Sequence, residues 1–225
     1  MPDHPDHVLD LPPAQVRLMP ERAVFEPASG TLFVADVHLG KAAVFRARGI
    51  PVPSGTSRET LSRLSAALVR TAATRLVVLG DFLHAKESHA ADTLAALAAW
   101  REAHPALDAV VVEGNHDRHA GRVQAAFGFR SLDGPWDGGA LRGVNDPAEA
   151  DDPGPWTLAG HVHPVVTLRG RHDTLRLPCF WLRRRVLTLP AFGAFTGGWE
   201  PELAAGDRVF IAGDRVSPWS LPART

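Results

Sequence analysis

The chain has 225 residues, 45% hydrophobic and 22% charged, an ordinary globular composition long enough to bury one sizeable core. Its 24 Lys+Arg against 25 Asp+Glu leave a formal net charge of -1, which excludes a globally basic nucleic-acid binder; any such contact has to come from a local patch. One cysteine, Cys179, excludes an internal disulfide framework, and no signal peptide or membrane-length apolar run is seen, so a soluble cytoplasmic protein is expected.

Residues 1–13 hold four prolines, three aspartates and two histidines without a period, which predicts a flexible tail ahead of a single domain over 14–225. Residues 16–26 predict short paired strands, and a Pro-Ala-Ser-Gly turn leads into an apolar strand over 31–35. That strand ends in Asp36-Val37-His38. Residues 41–48 have helical spacing, with Gly49 as the C-cap. After a proline-containing loop, Ser57 is a candidate N-cap for a helix carrying the stripe Leu61, Leu64, Ala67 and Leu68. A second apolar strand, 75–79, ends in Gly80-Asp81-Phe82-Leu83-His84. An amphipathic helix over 90–104, with Leu94, Leu97 and Trp100 inward, precedes the strand 109–112, which ends in Gly114-Asn115-His116-Asp117. Strand, helix, strand, helix, strand is the pattern of a mostly parallel sheet, so the fold class is α/β.

Past residue 125 short strands are expected at 140–144, 165–168, 175–177, 186–189 and 209–212, separated by Gly and Pro turns and a polar loop over 147–155. Within this half the apolar strand 156–159 ends in Gly160-His161-Val162-His163. Four apolar strands thus each release carboxylate, amide or imidazole donors as they leave the core, where open α/β sheets place their ligands. No cysteine lies in these ends. Such a donor set suits Mn²⁺, Fe²⁺ or catalytic Zn²⁺ better than a structural zinc.

In this order, Asp-x-His, Gly-Asp-x-x-His, Gly-Asn-His-Asp and Gly-His-x-His resemble the calcineurin-like metallophosphoesterase superfamily. Two flanking stretches narrow the likeness. These are Asp36-Val37-His38-Leu39-Gly40-Lys41, running into Phe45-Arg46-Ala47-Arg48-Gly49, and Leu177-Pro178-Cys179-Phe180-Trp181, leading to Leu189-Pro190-Ala191-Phe192-Gly193-Ala194-Phe195-Thr196-Gly197. They are similar to the bacterial ligase-associated DNA damage response metallophosphoesterases over roughly residues 16–217. The resemblance implies a four-layer α-β-β-α sandwich, with which two β-rich layers flanked by helices agree. It implies two divalent cations, Mn²⁺ favoured, with Asp36, His38, Asp81 and His163 on the first. Asp81 bridges, and Asn115 and His161 serve the second. His116, next to a ligand, is the expected general acid, and Asp117 is placed to orient it or to cap a helix; the two roles are compatible. His84 is expected to hydrogen-bond a ligand rather than to be one. Arg46, Arg48 and Arg118, with Lys41, are candidates for phosphodiester oxygens, against the alternative of a solvated helix face. Arg183-Arg184-Arg185 is a basic turn, read first as a solvated hairpin tip.

One departure stands out. Where the superfamily carries a further histidine on the second metal, no histidine occurs between Ala120 and Gly160, and Asn145 takes that place, with Asp146 beside it. An amide oxygen is a weaker donor than imidazole toward transition metals. The expected activity is hydrolysis of phosphodiesters, in DNA as a repair endonuclease or in a nucleotide, with ligase and helicase as partners and no membrane. The alternatives are a small-nucleotide phosphodiesterase or phosphomonoesterase, and a catalytically weakened metal-binding scaffold.

Overall fold

The computed structural model describes residues 5–47, 49–52, 55–83, 90–114, 117, 123–151, 154–171, 173–194 and 196–220. One sheet holds seven strands in sequence order: β1 (His7–Leu11), β2 (Ala14–Met19), β3 (Ala23–Glu26), β4 (Thr31–Ala35), β5 (Arg75–Leu79), β6 (Asp108–Val112) and β7 (Arg130–Leu132). The first four form an antiparallel meander and β4 to β7 are parallel. Helices α1 (Lys41–Ala47) and α2 (Thr56–Thr71) connect β4 to β5, and α3 (Ala91–Ala103) connects β5 to β6. The second sheet runs in the order β15-β14-β12-β13-β10-β9-β8. Its strands are β8 (Trp136–Asp137), β9 (Leu141–Val144), β10 (Trp156–Ala159), β12 (Thr174–Arg183), β13 (Val186–Thr188), β14 (Arg208–Ala212) and β15 (Val216–Trp219); β11 (Val165–Arg169) lies off that path, paired to β12.

Period-two alternation assigns the layers. On β4, β5 and β6 the residues Leu32, Val34, Leu76, Val78, Ala109 and Val111 face α2 and α3, where they meet Leu61, Leu64, Leu68, Leu97 and Trp100. The intervening Phe33, Ala35, Val77, Leu79, Val110 and Val112 face the second sheet, against Leu158, Phe180, Leu182, Leu187 and Phe210. Strands covered on both sides have to be apolar throughout, which is why these three read as unbroken hydrophobic runs. Among the described residues the outer side of the second sheet is covered by β11 and residues such as Leu203 and Trp219, not by a helix.

Register then builds a rim. Ala35, Leu79 and Val112 are level across β4, β5 and β6, and Val144, Ala159 and Thr188 are level across the parallel trio β9, β10 and β13. The two rims are stitched together where Ala191 bridges Ala35, the Phe192 N–H donates to the Ala35 carbonyl at 2.8 Å and the Gly193 N–H donates to that of Asp36 at 3.0 Å. Whatever follows each strand therefore emerges at one place.

Several expectations are corrected. Of the flexible tail over 1–13, residues 1–4 lie outside the described set, but His7–Leu11 is strand β1 with Leu9 and Leu11 buried. The alternation His-Val-Leu-Asp-Leu supplies one apolar face, and that face outweighs the polar, proline-rich composition around it. The segment is tied further by Asp6, which pairs with Arg70 at 2.8 Å and Arg17 at 3.8 Å, and by the Val216 N–H donating to the Pro5 carbonyl. Ser57 is not a cap: Gly55 holds that position, and the Ser57 hydroxyl instead accepts the Gly40 N–H at 3.2 Å. Gly49 does end α1, at φ 75°. The 147–155 loop begins with a 3-10 turn, Pro147–Glu149, whose capping box is made by Asp146 and Glu149. Among the described residues no helix is long and apolar enough to cross a membrane.

Candidate metal centre

Each strand end turns sharply as it leaves the core. Eight described non-glycine residues have positive φ, and five of them are Asp36, His38, Asp81, His161 and His163. Backbone strain of about 1 kcal/mol or more per residue is thus concentrated at the rim, the usual mark of a functional site. The physical effect is direct: a left-handed residue breaks the strand direction at once and turns its neighbours' side chains inward across the rim.

Asp36, His38 and His163 offer three donor atoms that lie within 4.8 Å of one another. The Nε2 atoms of His38 and His163 face each other at 3.4 Å, and His163 Nε2 is 3.3 Å from Asp36 Oδ1. The other Asp36 oxygen accepts the His161 N–H at 2.9 Å, so β10's turn is docked on β4's carboxylate. Asp81 adjoins this group, its Oδ2 4.0 Å from His38 Nε2, and its carbonyl accepts the His38 N–H at 2.8 Å. Asp36 is fully buried. Burial pushes its carboxyl pKa up, the charge of Asp81 adds to that, and His163 and the His161 N–H oppose it. Two buried carboxylates beside two imidazoles form a site suited to cations. Lys41, half-buried just past His38, feels both carboxylates, though burial holds its amine below the usual range.

Asn145 reaches the same rim from β9. Its Oδ1 is buried and has no hydrogen-bond partner among the described residues. A Cβ on Gly80, itself at φ 74°, would lie 1.7 Å from that oxygen; a Cβ on Gly114 would lie 2.9 Å from it and 2.4 Å from Asp81 Oδ1. The two glycines thus clear the space in which the amide and the bridging candidate face each other. A buried orphan oxygen next to a carboxylate fits a cation, the one partner both would share. His161 is more open, with its side chain 41% exposed and its Nε2 3.6 Å from Asp146 Oδ2, whose Oδ1 is spent on the Ala148 N–H.

Asp117 is fully buried and works on the backbone. Its Oδ1 accepts the Leu83 N–H at 3.1 Å, and its Oδ2 accepts those of Gly114 at 3.1 Å and Phe82 at 3.3 Å. It clamps the turn after β5 to the turn after β6. Burial drives its carboxyl up to about 7, with the charge of Asp81 adding, against those three donors. Asn115, His116, His84, Arg48 and Arg118 lie outside the described residues. Arg46 is exposed on α1. Of the basic turn, Arg183 is forked onto Asp207 and stacked over Trp181.

Sequence reasoning missed the supports of this rim. Arg63 of α2 donates to the Phe192 carbonyl and lies 4.5 Å over that ring, while Arg22 donates to the Ala191 carbonyl at 3.4 Å. Both fix the 191–193 segment that seats the Asp36 turn. The Ala-Phe-Gly sequence there is a readable signal, but its arginine partners are far off in the chain.

No family model matches the chain, nor does any curated protein. Among solved structures, the chain is similar to the nuclease MPE of Pseudomonas putida, with a TM-score of 0.83 and 40% identity over 95% of this chain and 100% of that one. AQ665 from Aquifex aeolicus, a protein of unknown function, matches at TM-score 0.43 and 19% identity over 64% of this chain and 81% of that chain. The E. coli phosphoesterase YfcE matches at TM-score 0.41 and 17% identity over 80% of this chain and 86% of that chain.

Proposed function

The chain belongs to the family of the Pseudomonas putida nuclease MPE, and on that premise we propose that it is a two-metal phosphodiesterase cleaving nucleic acid, a ligase-associated metallophosphoesterase acting as an endonuclease in DNA repair. The observation that carries the reading is the convergence of Asp36, His38 and His163 within 4.8 Å at the rim, with Asp81 and the orphan Asn145 oxygen beside them. Asp36, His38, Asp81 and His163 would hold a first cation, and Asp81, Asn115, His161 and Asn145 a second, with Mn²⁺ the best match for a set of hard oxygens and imidazoles. When bound, such cations supply a nucleophile at neutral pH and offset charge on the phosphoryl oxygens.

The chain's own groups do the rest. His116 donates a proton to the leaving oxygen. Asp117, by clamping the Gly114 and Leu83 turns, sets where His116 stands. Arg46, Arg48 and Arg118 take neighbouring phosphates. The protein works in the cytoplasm beside a DNA ligase and helicase. The test is hydrolysis of bis(p-nitrophenyl) phosphate, p-nitrophenyl phosphate and plasmid DNA with Mn²⁺. Turnover of the diester and DNA supports the reading, and turnover of the monoester alone makes the protein a phosphomonoesterase. Metal uptake without turnover of any of the three makes it a metal-binding scaffold, the reading that Asn145 in place of an imidazole favours.

A further inference from the structure

The β11–β12 hairpin stands beside this centre as a wall. Trp181 of β12 pairs with Thr188, which is level with the rim, so residues 174–179 continue past it. At about 3.3 Å per residue the strand overhangs the rim by roughly 20 Å. β11 starts two residues after His163 and pairs Thr167 with Arg176, Leu168 with Leu175 and Arg169 with Thr174. The root is pinned to the centre, since the Trp199 N–H donates to the His163 carbonyl at 3.0 Å and the Val165 N–H donates to the Trp199 carbonyl at 3.0 Å.

The two faces of the wall differ. Alternation along β12 puts Thr174 and Arg176 on the side that carries Phe180 and Leu182, which face the first sheet. Beyond the rim, that side overlooks the metal centre. Cross-strand pairing adds Thr167 and Arg169 to it. Leucines 168, 175 and 177 fall on the far side, where Leu177 joins the outer cluster. Arg169 and Arg176 are exposed, and Arg176 Nη2 donates to the Gly198 carbonyl at 2.7 Å, which holds its guanidinium over the root. Glu200 also lies against this face, its Oε2 accepting the Thr167 hydroxyl at 2.7 Å. At the tip Arg171 and Asp173, both exposed, add one charge of each sign. A chain with net charge -1 has thus set two guanidiniums and the Thr174 hydroxyl on the rim-facing side of the hairpin, the donor types that hold phosphate oxygens along a nucleic-acid backbone, while the Thr167 hydroxyl is engaged by Glu200.

We propose that this face of the β11–β12 hairpin is the track for the nucleic-acid backbone, with Arg169 and Arg176 each taking a phosphate next to the one being cleaved. The inference rests on the phosphodiesterase reading, and it makes a polymer the substrate, since a small diester would not reach the wall. The test compares the full-length protein with Arg169→Ala, Arg169→Ala/Arg176→Ala and Arg169→Lys. Binding of fluorescein-labelled single-stranded and duplex oligonucleotides is followed across salt in EDTA. Each arginine lost should lower the log–log salt slope by about 0.7 on a single strand or 0.9 on a duplex, with Arg169→Lys unchanged. With Mn²⁺ the double variant should raise KM for the oligonucleotide about tenfold or more, while kcat and all kinetics on bis(p-nitrophenyl) phosphate stay within twofold. An unchanged slope in the double variant, with small-diester turnover intact, overturns the proposal. So does an equal loss on both substrates, which would mean that the variants damage the centre. If the wild-type protein does not turn over the small diester, it is the phosphodiesterase reading that fails.

Discussion

Asn145→Ala tests the least orthodox part of the centre. The Asn145 side chain is buried with an oxygen that no described group satisfies, so the metal-free protein carries a desolvation cost of about 1–3 kcal/mol. Removing the amide relieves that cost and loses some packing, and the two offset. In EDTA the variant should therefore melt close to wild type. If the oxygen is a ligand, its loss should weaken the second cation at least tenfold, about 1.4 kcal/mol. For a chain of this length that is about 3–6 °C of metal-dependent stabilisation at a fixed Mn²⁺ concentration well above both dissociation constants. Differential scanning calorimetry with and without metal, alongside a Mn²⁺ titration of activity, measures both. Asn145→His should move the titration the other way. An unchanged titration in Asn145→Ala assigns the ligand role to Asp146 or water, and an equal loss of melting temperature in EDTA makes Asn145 a packing residue.

Other substitutions probe the same geometry. Gly80→Ala puts a methyl 1.7 Å from Asn145 Oδ1 at a left-handed position; it should cost about 1–2 kcal/mol of stability and copy the metal titration of Asn145→Ala, and a normal titration would show that the amide does not face the metal. His116→Ala should retain metal yet lose about 10²–10⁴-fold on alkyl esters and far less on nitrophenyl esters; equal losses would remove it as general acid. Asp81→Asn should abolish turnover and lower the metal content seen by native mass spectrometry, and near-normal activity would end the two-metal reading. Burial, with Glu200 adding, pushes the Cys179 thiol up to about 12, so at pH 8 the native protein should react with a disulfide reagent no faster than it unfolds; prompt labelling would mean that β12 opens locally.

Much of the centre is legible in the chain because it is local. Apolar runs such as Val110-Val111-Val112 announce strands buried on both faces, and an acid or Gly immediately after each run (Asp36, Gly80, Glu113, Gly160) marks where the run ends. The stripe Leu61, Leu64 and Leu68 likewise needs only its own spacing to declare α2. Leu9 and Leu11 were within reach too, but only if alternation over five residues is weighed above composition. Other features depend on partners that pairing alone brings together. Ser57 accepts from Gly40 instead of capping its helix, Asp117 spends both oxygens on two separate turns, and Arg63 meets Phe192 across 129 positions of chain. No local pattern encodes these. Whether Asn145 could stand at a metal was likewise undecidable from its neighbours, because the space it enters is defined by what Gly80 and Gly114, just past the ends of two strands of the other sheet, leave empty. The sequence by itself determined which residues leave each strand as donors; the register of two sheets, set by long-range side-chain packing, decided that those ends are level and face one another.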